Sequence, residues 1–174
     1  LGYTAKKYGL DLLILEATNE VNRRQKRVLF EKIEARFDGN LKGKTVAVWG
    51  LAFKPRTDDM REAPSITIIN ALLEAGATVK AYDPVATETA REVFGDKITF
   101  ASRAQDVLAG ADCLALITEW NEFRKPDWEK VKSLMAQPIV FDGRNIYSPK
   151  TLEKLGIEYY GIGRGRRFAT AASS

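Results

Sequence analysis

From Lys44 onward, short apolar runs alternate with amphipathic stretches, and glycines or prolines punctuate them. The runs Thr45–Gly50, Thr78–Tyr82, Lys97–Phe100, Cys113–Thr118, Pro138–Phe141 and Ile157–Tyr160 predict six strands. Most are continuously apolar and not alternating, which marks strands buried on both faces. Between them the pattern predicts helices over Pro64–Ala75, Thr87–Phe94, Arg103–Leu108, Asp127–Met135 and Pro149–Leu155. Gly76, Gly95, Gly110 and Gly156 are placed to end four of these helices, and Ser148 to cap the start of the last. Strands alternating with helices imply a parallel sheet with right-handed crossovers. The expected fold is therefore α/β, a Rossmann-like doubly wound sheet of about six strands.

One long helix, Leu10–Phe37, precedes the sheet and is stopped by Asp38-Gly39-Asn40. Its first half is apolar on more than one face, which points to burial against another domain or another chain. Thr18–Arg27 is almost wholly polar, and Val28, Leu29, Phe30, Ile33 and Phe37 restore an apolar stripe. At about 1.5 Å per residue it would span roughly 40 Å, a length that suits a connector or a dimer spine. Packing along its own sheet is the alternative. The expected organisation is a connector helix over 1–40, a ligand-binding domain over 41–165 and a disordered tail over 166–174.

Composition narrows the function. The chain has 174 residues and a formal net charge of +4, with no basic stripe interleaved with aromatics, so nucleic acid is not an expected partner. No apolar run reaches the length of a membrane span, and no membrane partner is expected. There is one cysteine and no histidine. That excludes an internal disulfide, histidine-based triads and common histidine metal sites, and no metal is expected. Cys113 stands inside an apolar run and reads as a core residue. A reducing, cytoplasmic location is expected.

The polar residues gather at one edge. In doubly wound sheets, ligands bind beyond the carboxyl ends of the strands. Those ends carry Phe53, Lys54, Asp58, Asp59 and Arg61 after strand one, and Asp83 after strand two. Thr118, Glu119, Trp120 and Asn121 follow strand four, Asp142 to Asn145 follow strand five, and Arg164 comes after strand six. The opposite edge carries plain helix caps. The connection from Gly50 to Ala63 is far longer than the usual strand-to-helix loop of about 2–6 residues, and long loops are more often functional. Lys54, Arg61 and Arg144 suit phosphate or pyrophosphate. Phe53 and Trp120 are expected to present flat faces to a base or sugar. Gly50 stands alone where a G-x-G-x-x-G motif would begin, so a nucleotide held by side chains is favoured over a dinucleotide seated on a helix terminus.

These segments, in order, resemble a known family: G-L-A-F-K-P-R-T-D-D-M-R-E-A-P-S, A-Y-D-P, T-E-W-N-E-F and F-D-G-R-N. They are similar to the C-terminal domain of the UDP-glucose 6-dehydrogenases, over about Leu10 to Gly163. That family oxidises UDP-glucose to UDP-glucuronate with two NAD⁺ through a cysteine thioester. The resemblance implies substrate contacts at Phe53, Lys54 and Arg144, an NAD contact at Arg61, and a homodimer through the Leu10–Phe37 helix. We expect Asp58 or Asp59 to orient Arg61 or Lys54. The family's Gly-Gly-Ser-Cys-Phe-Pro-Lys-Asp type of motif, its Gly-rich NAD loop and its catalytic lysine and asparagine have no counterpart. No catalytic residue is therefore expected in this chain. It reads as a UDP-sugar-binding portion, inactive alone, with NAD held mainly by another domain. The same portion of a UDP-N-acetylmannosamine or GDP-mannose dehydrogenase, and a stand-alone nucleotide-binding module, are the alternatives.

Overall fold

A computed structural model of the chain describes residues 13–165. The expectations for Leu10 to Leu12 and for the tail 166–174 lie outside the described residues. Helix α1 runs Leu13–Arg36. Then follow β1 (Thr45–Trp49), α2 (Pro64–Glu74), β2 (Thr78–Tyr82), α3 (Thr87–Phe94), β3 (Thr99–Phe100) and β4 (Cys113–Leu116). The series ends with α4 (Trp128–Leu134), β5 (Ile139–Asp142), α5 (Pro149–Lys154) and β6 (Glu158–Gly161).

All six strands pair in parallel, in the order β3-β2-β1-β4-β5-β6. The order reverses between β1 and β4, the switch point at which such sheets open a crevice. Alternate residues of β1 serve opposite faces. Val46 and Val48 pack with Leu29, Phe30 and Ile33 of α1 and with Ile69 and Leu72 of α2. Ala47 and Trp49 pack with Leu108, Val131 and Leu152 on the other side. Two buried faces explain why the strands read as unbroken apolar runs.

Only the C-terminal half of α1 joins this core. Leu29, Phe30 and Ile33 are buried, whereas Leu13, Ile14 and Val21 are exposed. The end of α1 is tied to the start of β6 by Arg36, which reaches both carboxylate oxygens of Glu158 at 2.6 and 3.0 Å. The C-terminal half of the helix therefore lies along its own sheet, while Leu13, Ile14 and Val21 stay exposed in the single chain.

The expected helix Arg103–Leu108 is reduced to a single 3₁₀ turn, Asp106–Leu108. The reason is a distant side chain. Trp49 Nε1 donates to the Ala104 carbonyl at 2.8 Å, the acceptor that an α-helix would give to Leu108. Leu108 N bonds Gln105 O instead. The expected strand Lys97–Phe100 likewise keeps only Thr99–Phe100, because Gly95–Lys97 closes its own 3₁₀ turn.

Candidate functional site

A cleft of about 790 Å³ lies between α1 and the carboxyl ends of β1, β4, β5 and β6. Asn19, Asn22, Arg23 and Lys26 line it from α1; Phe53, Glu62, Ile117, Arg144 and Ile162 line it from the sheet edge. Gly143 in its wall is closely packed: a Cβ there would lie 2.9 Å from the Leu116 carbonyl oxygen and 3.2 Å from Leu29 Cδ2 of α1.

The start of the long β1–α2 loop is held rigidly. Leu51 N and Ala52 N donate to Asp83 Oδ2 at 2.7 and 3.2 Å. The Leu51 and Ala52 carbonyls accept from Ser65 Oγ at 2.5 Å and from Thr118 Oγ1 at 2.6 Å. Every one of these side chains is buried. Asp83 Oδ1 also takes Val85 N and Ala86 N at 2.9 and 2.8 Å. In a dinucleotide-binding sheet, an acid after the second strand takes a ribose hydroxyl. Here that carboxylate is turned inward and filled by backbone amides. This edge of the sheet therefore does not fit a dinucleotide seated in the usual way.

Phe53 is half exposed at the lip of the cleft. Its amide bonds Asp59 O at 2.9 Å, which closes the loop into a ring. Arg144 donates from Nη2 to Phe53 O at 3.2 Å and sets its Nε 2.6 Å from Glu119 Oε2. Two sequence-predicted residues, Phe53 and Arg144, thus meet in one cleft. Lys54 is exposed beside Phe53 but does not line the cleft.

Arg61 stands elsewhere. It borders a separate hollow with Thr57, Asp59, Ile66 and Thr89. Asp59 holds its guanidinium at 3.0 and 2.9 Å and its backbone amide at 2.9 Å. The expectation that an acid orients Arg61 is met by Asp59. The Arg61 guanidinium pulls the Asp59 carboxyl down to about 2 from an ordinary 3.8. A depressed carboxyl contributes stability that is complete above the ordinary value and is lost as pH falls through about 2. We expect the Asp59 carboxyl carbon to titrate near 2 by NMR and to return to the ordinary range in Arg61→Ala. A midpoint of 3.8 in the unaltered chain would show that the pair does not form.

Trp120 does not present a flat face to a ligand. It is 9% exposed, and its Nε1 donates to Asp83 Oδ2 at 3.1 Å. It anchors the loop after β4. Cys113 is fully buried in β4, and burial pushes its thiol far above the ordinary range, so it is a core residue and not a nucleophile. Among the described residues no group of three acidic, cysteine or histidine side chains is placed to hold a metal ion. No described helix is long and apolar enough to cross a membrane.

Sequence reasoning does not find the α1 side of the cleft. Asn19, Asn22, Arg23 and Lys26 follow the i, i+3, i+4, i+7 spacing of one helix face. That stripe is the available signal within the polar stretch. Lys26 Nζ reaches Glu62 Oε2 at 2.7 Å and so bridges α1 to the β1–α2 loop.

The family model for the UDP-glucose/GDP-mannose dehydrogenase UDP-binding domain matches residues 47–149, which include the β1 loop, β4 and Arg144. The chain belongs to the UDP-glucose/GDP-mannose dehydrogenase family. It is 43% identical over 176 aligned residues to the UDP-glucose 6-dehydrogenase of Pseudomonas aeruginosa. That alignment takes in 98% of this chain and 39% of the relative, so the chain spans about two fifths of that enzyme's length. A UDP-glucose dehydrogenase structure from Pyrobaculum islandicum superposes with a TM-score of 0.73 at 34% identity, over 83% of this chain and 32% of that one. A UDP-D-ManNAc dehydrogenase from Pyrococcus horikoshii gives a TM-score of 0.62 at 27% identity, over 80% of this chain and 30% of that one. The fold of this chain is thus shared over four fifths of its length by structures named as UDP-glucose and UDP-D-ManNAc dehydrogenases.

Proposed function

We propose that this chain is the nucleotide-sugar-binding portion of an NAD-dependent UDP-glucose 6-dehydrogenase, which oxidises UDP-glucose to UDP-glucuronate. The cleft between α1 and the β1 and β5 loops holds the UDP moiety. The observation that carries this reading is the cleft's charge and shape. Arg23, Lys26 and Arg144 line it, paired with Glu20, Glu62 and Glu119 respectively, and Leu29, Ile117 and Ile162 add an apolar floor. A diphosphate meets the cations, and a base meets the floor and the Phe53 ring. Lys54, exposed beside Phe53 outside the cleft lining, is assigned to the phosphates as a further cation.

In this reading the 1–40 stretch is a connector, 41–165 is the UDP-sugar domain, and a homodimer covers the exposed Leu13, Ile14 and Val21 of α1. Arg61, oriented by Asp59 and with its side chain 89% exposed, meets NAD carried by another domain. NAD supplies the hydride acceptor when bound; this chain's part is to bind and orient the sugar nucleotide. Its own residues provide no catalytic group, and the reaction takes place in the cytoplasm.

Calorimetric titration with UDP and with UDP-glucose tests the assignment. Both should bind, and Arg144→Ala should weaken binding by roughly 10- to 100-fold, the usual effect of losing a hydrogen bond from a charged donor. Lys54→Ala should also weaken it. The chain alone should form no NADH from UDP-glucose and NAD⁺. GDP-mannose binding more tightly than UDP-glucose would move the assignment to another branch of the family. Steady NADH formation would overturn the division of labour.

A further inference from the structure

Arg144 is braced from behind. Glu119, just after β4, does not line the cleft, yet its Oε2 lies 2.6 Å from Arg144 Nε. That oxygen is buried and accepts no well-directed hydrogen bond among the described residues. Its stabilisation comes from the charge of the guanidinium pressed against it. A second contact runs from Arg144 Nη2 to the Phe53 carbonyl at 3.2 Å. A guanidinium has five N–H donors. These two contacts engage its Nε side and one Nη2 proton, which leaves the remaining donors for whatever enters the cleft that Arg144 lines.

We propose that Glu119 is a positioning residue for nucleotide binding. It holds the Arg144 guanidinium against the β1 loop so that a phosphate meets an already oriented fork. An arginine side chain loses rotamer freedom when it is fixed, and ordering it before the ligand arrives removes that penalty from binding. The inference rests on the nucleotide-binding reading above and deepens it. The opposite role is physically distinct: a carboxylate that merely competed with phosphate for Arg144 would weaken binding, and its removal would tighten it.

Two measurements on the 174-residue chain decide the matter. The first needs no ligand. The ¹⁵Nε order parameter of Arg144 should be high in the unaltered chain and fall clearly in Glu119→Gln, which keeps the shape and removes the charge. The second is a double-mutant cycle on UDP affinity. Glu119→Gln and Glu119→Ala should each weaken binding by about tenfold, and Arg144→Ala by more. Glu119→Ala in the Arg144→Ala background should weaken it no further, because the carboxylate acts only through that arginine. Unchanged Arg144 order in Glu119→Gln overturns the proposal, as does unchanged or tighter UDP binding, or a loss that persists without Arg144. If the unaltered chain fails to bind UDP, the nucleotide reading falls and Glu119 has no binding role to position. The order parameter then reports separately whether Glu119 braces Arg144.

Discussion

Replacing Gly50 with alanine should lower the thermal midpoint by about 4–20 °C, or leave the chain unable to fold. Gly50 has φ +90°, a conformation that disfavours any side chain. A Cβ there would lie 2.5 Å from Thr118 Cβ, 2.6 Å from Thr118 N and 2.9 Å from Thr118 Cα. Two of those atoms are backbone, and Thr118 is itself tied to the Ala52 carbonyl, so it cannot rotate aside. Left-handed strain of about 1–2 kcal/mol adds to an overpacking penalty of about 1–3 kcal/mol. The sum takes a large share of a domain stability of about 5–15 kcal/mol. At about 2–4 °C per kcal/mol for a chain of this size, the shift is readily measured. Gly156 supplies the internal comparison: φ is +73°, but a Cβ added there would meet nothing within 4 Å. Gly156→Ala carries the backbone strain without the clash and should lower the midpoint by only a few degrees. Equal losses at the two positions would remove the close-approach argument for the β1 turn.

How far the sequence discloses this arrangement depends on the range of the interactions. Strands β1, β4 and β5 are legible because each buries both faces, and that leaves a local apolar run. Phe53 and Arg144 are legible because each follows a strand at its carboxyl end, where the fold class alone places a ligand. The crossover between β3 and β4 is not legible, because the indole of Trp49 takes the Ala104 carbonyl across 55 positions of chain. Trp120 misleads for the same reason. An aromatic residue in a polar loop looks available to a ligand, yet Asp83 draws its indole inward. The α1 wall is hidden in an almost wholly polar stretch. Which face of Thr18 to Arg27 turns to the cleft is set by where Leu29, Phe30 and Ile33 dock, further along the same helix.

Asp83→Ala should destabilise the chain by about 3–5 kcal/mol and abolish nucleotide binding with it. The carboxylate is 2% exposed and accepts five donors: four backbone amides and the Trp120 indole. Each buried donor left without a partner costs about 1–3 kcal/mol, less where water can enter the gap. The loss is also structural in a directed way. Leu51 and Ala52 lead straight into Phe53, and Phe53 O is one of the two groups that hold Arg144. Trp120 sits beside Glu119, the other. One buried acid therefore sets the loops that present both the aromatic lip and the cation of the cleft. Asp83→Asn separates charge from shape. It keeps one accepting oxygen but turns an amide N–H₂ toward backbone N–H groups, so it should lose at least about 2 kcal/mol despite its equal size. Urea unfolding of the two variants gives the energies, and UDP titration of the folded fraction gives the functional consequence. A loss under about 1 kcal/mol in Asp83→Ala would mean that water replaces the carboxylate. The β1 loop would then owe its shape to Ser65 and Thr118.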